Sequence, residues 1–287
     1  MKLARLGAPG EEIPVLIDES GTAFDLRSVV PDITGEHLGP DSLAKIRQAA
    51  GGSTLPVLEG SADLRVGSSI ARAGSILCIG QNYAAHAAES GAEPPEVPIL
   101  FFKAANTLTG PNDPVAIPRR ATKTDWEVEL GIVIGTRALY LDSPEQAREH
   151  IAGFVTADDL SERDFQLAES GGQWSKGKCA PDFSPLGPWL VTADEVDPKN
   201  LALRSWVNGE PRQDSSTADM IFDVDHIVWH LSQYLALDPG DVILTGTPQG
   251  VALSGRFPYL GAGDVVEVEI EGLGRQRTVM SAPLGAS

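Results

Sequence analysis

Two glutamates separated by one residue, Glu127 and Glu129 in Trp126-Glu127-Val128-Glu129-Leu130-Gly131-Ile132-Val133-Ile134, carry the strongest chemical signal in the chain. The segment alternates with period two, which puts Trp126, Val128, Leu130, Ile132 and Ile134 on one face of a strand and both carboxylates on the other. At a rise of about 3.3 Å per residue the two Cβ atoms lie roughly 6–7 Å apart, close enough to share one hard cation. Oxygen donors of this kind suit Mg, Mn or Ca rather than zinc. The competing reading is a solvated strand face. Glu267, Glu269 and Glu271 repeat the spacing, and there Arg275 and Arg277, beyond a Gly-Leu-Gly turn, account for it as cross-strand ion pairs. Spacing alone leaves both readings open at Glu127 and Glu129.

A third carboxylate is available in Thr156-Ala157-Asp158-Asp159-Leu160-Ser161-Glu162-Arg163-Asp164, where a strand turns toward a helix. Asp and Ser at such a junction also serve as helix caps, so ligand and cap compete for the same residues. His86 and Glu89 stand at i and i+3, the spacing of a general base and an orienting carboxylate on one helix face, and equally that of a plain polar face. Gly172-Gln173-Trp174-Ser175-Lys176-Gly177-Lys178-Cys179 approaches a phosphate-binding loop. Cys179 stands where Ser or Thr is needed, a polar segment precedes it, and Pro181, Pro185 and Pro188 follow, so nucleotide binding is rejected. The lysines remain candidate partners for a substrate carboxylate or a developing enolate.

Those residues need elements to position them. Strands are expected at Ile13–Ile17 and, after a turn at Asp18–Thr22, from there to Val30, then at Ile76–Ile79, Ile99–Phe102, Glu127–Ile134, Leu190–Val191, Ser205–Asn208, Val242–Thr245 and Val265–Ile270. Helical stretches are expected at Ser42–Ala50, ended by Gly51, Gly52 and Ser53, and at Asn82–Ser90, Ser143–Ile151, Ser161–Glu169 and Asp223–Leu235. Strand and helix do not alternate regularly, so a doubly wound sheet is not expected. The prediction is a β-rich α+β chain: a small N-terminal α/β module over residues 1–66, a connector, and a catalytic domain over 67–287.

The 22 Lys and Arg against 40 Asp and Glu give a formal charge of -18, which repels nucleic acid and anionic membranes. The same field opposes an anionic substrate unless a bound cation reverses it locally. Two cysteines, Cys78 and Cys179, are too few for a disulfide framework or a structural zinc site. The N-terminal segment breaks into Gly and Pro before an export signal could form, and no apolar run reaches the roughly 18 residues of a membrane span, so a cytoplasmic location is expected.

Read together, the blocks Ile79-Gly80-Gln81-Asn82-Tyr83-Ala84-Ala85-His86 with Glu89, Pro98-Ile99-Leu100-Phe101-Phe102-Lys103, Asp125 to Leu130 and Asp159 to Gln166 resemble the fumarylacetoacetate hydrolase superfamily. Gly172-Gln173-Trp174 to Lys178, Pro185 to Trp189, Pro239 to Pro248 and Gly261 to Asp264 extend the resemblance over about residues 75–275 in one order. It implies a mixed β-sandwich roll, usually a homodimer, with Glu127, Glu129 and Asp159 holding Mg or Mn (possibly Ca) and no organic cofactor. It also implies that His86 and Glu89 are catalytic, that the active-site lysine is Lys178 rather than Lys176, and that Arg163, Gln166 and Thr247 bind substrate. Asp158 and Glu162 depart from the more usual Asn and Ala, and Ala180-Pro181-Asp182 from Ser-Phe-Asp.

The expected reaction is metal-dependent hydrolysis of a C–C bond in a 2,4-dioxo acid, an acylpyruvate or a diketo-deoxy sugar acid, through a pyruvate-type enolate. The Gly-Gly-Gln-Trp segment points toward the sugar-acid branch. Decarboxylation of an oxaloacetate-type acid or keto-enol isomerisation would use the same site, and a non-catalytic metal-binding scaffold is the reading from a different class.

Overall fold

The structure is a computed structural model and describes residues 1–283 apart from 53, 90 and 92. Its centre is a nine-stranded sheet in the spatial order Ala23–Asp25, Ile13–Ile17, Lys2–Leu6, Leu190–Thr192, Ile151–Asp158, Val128–Ile134, Val242–Leu244, Ile76–Gly80, Ile99–Lys103. A five-stranded sheet of Glu210–Ser216, Ala202–Val207, Val265–Ile270, Gly274–Ser281 and Val115–Ala116 packs on it. The β-rich α+β expectation is met.

Period-two alternation decides what each face of Val128–Ile134 buries. Val128, Leu130, Ile132 and Ile134 enter the core between the two sheets with Leu203, Val266 and Val268, whereas Val133 joins the core on the opposite face with Ile76, Cys78 and Val155. Every residue of this strand is buried, because strands flank it on both sides and packed layers cover both faces. Glu267 and Glu269 behave as the solvated control: Arg275 lies 3.1 Å from Glu267 and 3.6 Å from Glu269 across the hairpin.

The first three strands extend the central sheet: Lys2 and Leu3 pair with Val191 and Leu190. Charge joins the same parts. Arg5 contacts Glu12 at 3.1 Å and Asp32 at 2.7 Å, while Arg65 bridges Glu12 at 2.9 Å and Asp113 at 2.5 Å.

Helices occur at Pro40–Gly51, Ala84–Glu89 and Val224–Ser232, the last capped by the Asp223 carboxylate accepting from the His226 amide. Ser53 and Ser90, which close two of the expected helical segments, lie outside the described residues. Pro144–His150 is a 3-10 helix, and Ile151 already belongs to the following strand. The helix expected over Ser161–Glu169 is corrected. Ser161 and Glu162 pair with Asp125 and Thr124 as a two-residue strand, and a π-helical turn, Asp164–Ala168, follows. The ladder and the Glu162 carboxylate, which accepts from the Lys123 amide at 3.1 Å and the Thr124 hydroxyl at 3.0 Å, override the local helical pattern.

Candidate active site

Register brings the acidic residues together. In the antiparallel pair of Val128–Ile134 with Ile151–Asp158, Ala157 lies opposite Glu129 and Asp158 opposite Val128. One step further, the Asp159 amide donates to the Glu127 carbonyl at 3.0 Å. Opposed residues share a face, so Glu127, Glu129 and Asp159 converge on one side while Asp158 belongs to the other. Ligand-capable atoms of the three lie within 4.8 Å of one another, and all three side chains are buried. The donors are hard oxygens and the cluster concentrates negative charge away from water, so the residues present fit a divalent cation of the Mg or Mn kind.

Asp158 has a different task. Its Oδ1 accepts from the Glu127 amide at 2.9 Å, which fixes the backbone ahead of the two glutamates. Burial pushes its pKa up to about 7 against that hydrogen bond. Glu162, the other departure noted in the sequence, is committed to Lys123 and Thr124.

Two buried lysines reach the acidic cluster. Lys178 Nζ lies 2.7 Å from Glu127 Oε2 and 2.7 Å from Asp159 Oδ2. It comes from the short helix Ser175–Lys178, which packs against the π-helical turn through Gly177, where a Cβ would sit 2.4 Å from the Gln166 Cβ. Lys103 donates to Asp159 Oδ1 and, at 2.7 Å, to the Phe183 carbonyl. Lys176 is exposed.

Arg163 donates through Nε to Asp125 at 2.8 Å and through Nη1 to the Gln166 side chain at 2.9 Å, and Nη1 lies 2.7 Å from Glu127 Oε1. Its Nη2 is buried with no hydrogen-bond partner among the described residues.

Electrostatics divide the labour. Burial would raise Glu127, but Lys178 and Arg163 outweigh it and hold its carboxyl well below the ordinary range. Burial would likewise lower Lys178, yet Asp159 and Glu127 overcome it and keep the ammonium protonated. A lysine in this state is a cation able to offset nearby negative charge. Glu129 is pushed well above the usual carboxylate range by burial first, then by Asp159 and Glu127. Its Oε2 accepts from the Gly246 amide at 2.7 Å.

The cluster opens into a cleft of about 260 Å³. Arg163, Gln166 and Lys178 line it beside the glutamates, His86, Glu89 and Thr247 line it elsewhere, and Phe101, Leu167, Trp174 and Leu253 supply apolar wall. Trp174 fits because Gly80 has no side chain: a Cβ there would meet its ring at 2.4 Å. His86 Nδ1 and Glu89 Oε2 are 3.9 Å apart, both on the helix Ala84–Glu89. The Thr247 hydroxyl donates to the Val128 carbonyl at 2.9 Å and accepts from Gln213 Nε2 at 2.8 Å, so it presents the cleft with an acceptor position and no hydrogen. All nine candidate site residues thus belong to one pocket and its acidic floor.

Three supporting residues were given no role by the sequence. Lys103 ends an apolar run, and period two puts it on the buried side with Phe101 while Phe102 faces out; that alternation was the available signal. Asp125 fills its acceptor sites with the amides of Trp126, Ala252 and Leu253 and with Arg163. Gln213 ties the Val128 amide to Thr247 and the Pro248 carbonyl from the second sheet. It sits in a polar stretch that carries no local sign of this role.

Residues 172–179 form no phosphate loop, since their short helix follows a π-helical turn instead of a buried strand.

Residues 75–281 match the family model described as fumarylacetoacetate (FAA) hydrolase C-terminal. A Burkholderia multivorans protein that bears only a provisional hydrolase name is 46% identical over 280 residues, covering 96% of this chain and 97% of its own. The solved fumarylacetoacetate hydrolase of Exiguobacterium antarcticum is 32% identical, with TM-score 0.83 over 98% of this chain and 99% of that one. A 2-hydroxyhepta-2,4-diene-1,7-dioate isomerase structure from Mycobacterium marinum is 33% identical, with TM-score 0.76 over 98% of each chain. With the matching model, fold and relatives spanning nearly its whole length, the chain belongs to the fumarylacetoacetate hydrolase family.

Proposed function

We propose that this protein is a divalent-metal-dependent hydrolase that cleaves the C3–C4 bond of a 2,4-dioxo acid, an acylpyruvate or a diketo-deoxy sugar acid. The observation that carries the reading is the convergence, on one cleft, of a three-carboxylate cluster, a buried ammonium and a His/Glu pair. A bound Mg or Mn would supply Lewis-acid polarisation of the substrate's carboxylate and 2-oxo oxygens. Glu127, Glu129 and Asp159 would hold that ion.

The chain's own residues account for the remaining steps. Arg163, whose Nη2 is unpartnered among the described residues, anchors the substrate carboxylate with Gln166 beside it. His86, oriented by Glu89, takes a proton from water, and the water oxygen bonds to C4. As the resulting tetrahedral centre collapses, the C3–C4 electron pair moves toward the 2-oxo oxygen. Lys178 holds the negative charge of the enolate, and protonation at C3 completes release of the pyruvate unit.

Keto-enol isomerisation is the second reading, favoured by the similarity to the Mycobacterium marinum isomerase, and it would pass through the same enolate without consuming water. Decarboxylation of an oxaloacetate-type acid would do so as well. Product analysis separates them. A hydrolase releases pyruvate and a second carboxylic acid from an acylpyruvate, and His86→Ala or Glu89→Ala should lower that turnover at least about a hundredfold. Undiminished hydrolysis by both variants would remove water activation from this pair.

A homodimer in the cytoplasm completes the proposal. The exposed Phe102 and Leu167 near the cleft are available for a subunit contact, and Cys78 and Cys179 are free thiols, as in a reducing compartment. Light scattering at working concentration tests the dimer.

A further inference from the structure

Glu89 has partners that the catalytic scheme does not use. Its Oε2, the oxygen facing His86, accepts from the Gly250 amide at 3.0 Å, and its Oε1 is paired with the Arg256 guanidinium. Both partners come from the segment that follows Thr247. Gly250 is at φ +105, and a Cβ there would stand 2.2 Å from the Arg212 carbonyl oxygen, so only glycine lets the chain deliver this amide without displacing its neighbour.

The segment is itself tied to the acidic floor. The Ala252 and Leu253 amides donate to Asp125 at 2.8 and 2.9 Å, the same carboxylate that receives Arg163. Arg256 lies 5.6 Å from the Phe257 ring, which packs 6.3 Å from Trp126 at the start of the glutamate strand. A continuous set of contacts therefore runs from Arg163 through Asp125 and the 250–257 segment to Glu89 and His86.

We propose that Arg256 is a positioning residue of the active site: together with the Gly250 amide it holds Glu89 in the orientation in which that carboxylate faces the His86 imidazole. A carboxylate with one oxygen fixed only by a backbone amide can still rotate about its terminal bond; a guanidinium on the second oxygen removes that freedom. Burial would raise the Glu89 pKa, but the His86 contact, the Gly250 amide and Arg256 outweigh it and keep the group ionised. The Arg256 side chain is more than half exposed, so the pair contributes little to global stability and its effect falls on orientation. This inference rests on the proposed role of the His86–Glu89 pair.

The test compares wild type, Arg256→Ala and Arg256→Lys with the acylpyruvate 2,4-dioxopentanoate and Mn, alongside His86→Ala. Arg256→Ala should lower kcat about ten- to hundredfold with KM within about twofold, and Lys should restore most of the loss. Unchanged kcat, or a KM increase with kcat intact, would overturn the inference, the latter making Arg256 a substrate contact. If His86→Ala retained full activity, the base assignment would fail first, which separates the two claims. Hydrogen exchange of the peptide covering Ala84–Glu89 supplies a substrate-independent readout. It should accelerate about tenfold or more in Arg256→Ala, recover in Arg256→Lys, and occur without a change in melting temperature. Exchange identical to wild type would overturn the inference even if no acid were turned over.

Discussion

Asp158 and Asp159 are neighbours of the same type, and only register separates their tasks. Asp159 falls opposite Glu127 and shares its face, whereas Asp158 accepts a backbone amide. Asp158→Asn should therefore leave Mn affinity within about threefold of wild type, since an amide oxygen can accept the same hydrogen. Glu129→Gln should weaken Mn binding about tenfold or more by isothermal titration, because it replaces a charged oxygen ligand with a neutral one. The same variant should melt no lower than wild type in the absence of metal, since burial and the neighbouring carboxylates already disfavour the Glu129 charge. Equal losses in both variants would contradict the assignment. The Glu-x-Glu pattern was legible in the sequence as a candidate, but its burial was not. The same spacing at Glu267 and Glu269 faces water, and the difference lies in what packs over each strand.

Among the elements, the Val128–Ile134 strand could be read directly because its period-two pattern extends over seven residues with one consistently apolar face. The Ser161–Glu169 segment could not. Its sequence suits a helix, yet a two-residue ladder to Thr124–Asp125 and the buried Glu162 carboxylate pull its start into strand geometry. The strand Ile151–Asp158 was legible only at its end near Thr156, because it is buried along its entire length and so shows no alternation. Its central Phe154 is fully buried in the core between the sheets. Phe154→Ala should cost about 3–5 kcal/mol of unfolding free energy by urea titration. A loss below about 1 kcal/mol would mean that this layer is loosely packed. Gln213 links the second sheet to the Thr247 turn, and Gln213→Ala should lower kcat/KM through displacement of that turn, with a smaller change in melting temperature than Phe154→Ala produces.

At the scale of the whole molecule, the N-terminal strands and the family-matched region share a sheet and an ion-pair network centred on Glu12. Burial would raise Glu12, but backbone hydrogen bonding, Arg65 and Arg5 hold it below the ordinary carboxylate range, and Arg65 does the same for Asp113. Carboxylates with depressed folded-state values contribute stability that is present above an unfolded pKa of about 4 and is lost as pH falls through the lower folded values. Arg65→Met should therefore lower the melting temperature at pH 7, and the gap from wild type should narrow below about pH 4. A gap that widens on acidification would reverse the sign of this network. No helix among the described residues is long and apolar enough to cross a membrane. On the proposed function, a formal charge of -18 and the buried acidic cluster would make entry of an anionic substrate depend on a bound cation.

That dependence is most directly tested by treating the protein with chelator and following pyruvate release from 2,4-dioxo acids before and after Mg or Mn is restored. The expected result is loss of turnover on chelation and recovery with metal, pyruvate appearing in equal amount to the second acid. Undiminished turnover in chelator, or Mn binding to the Glu127 cluster without cleavage of any 2,4-dioxo acid, would contradict the account.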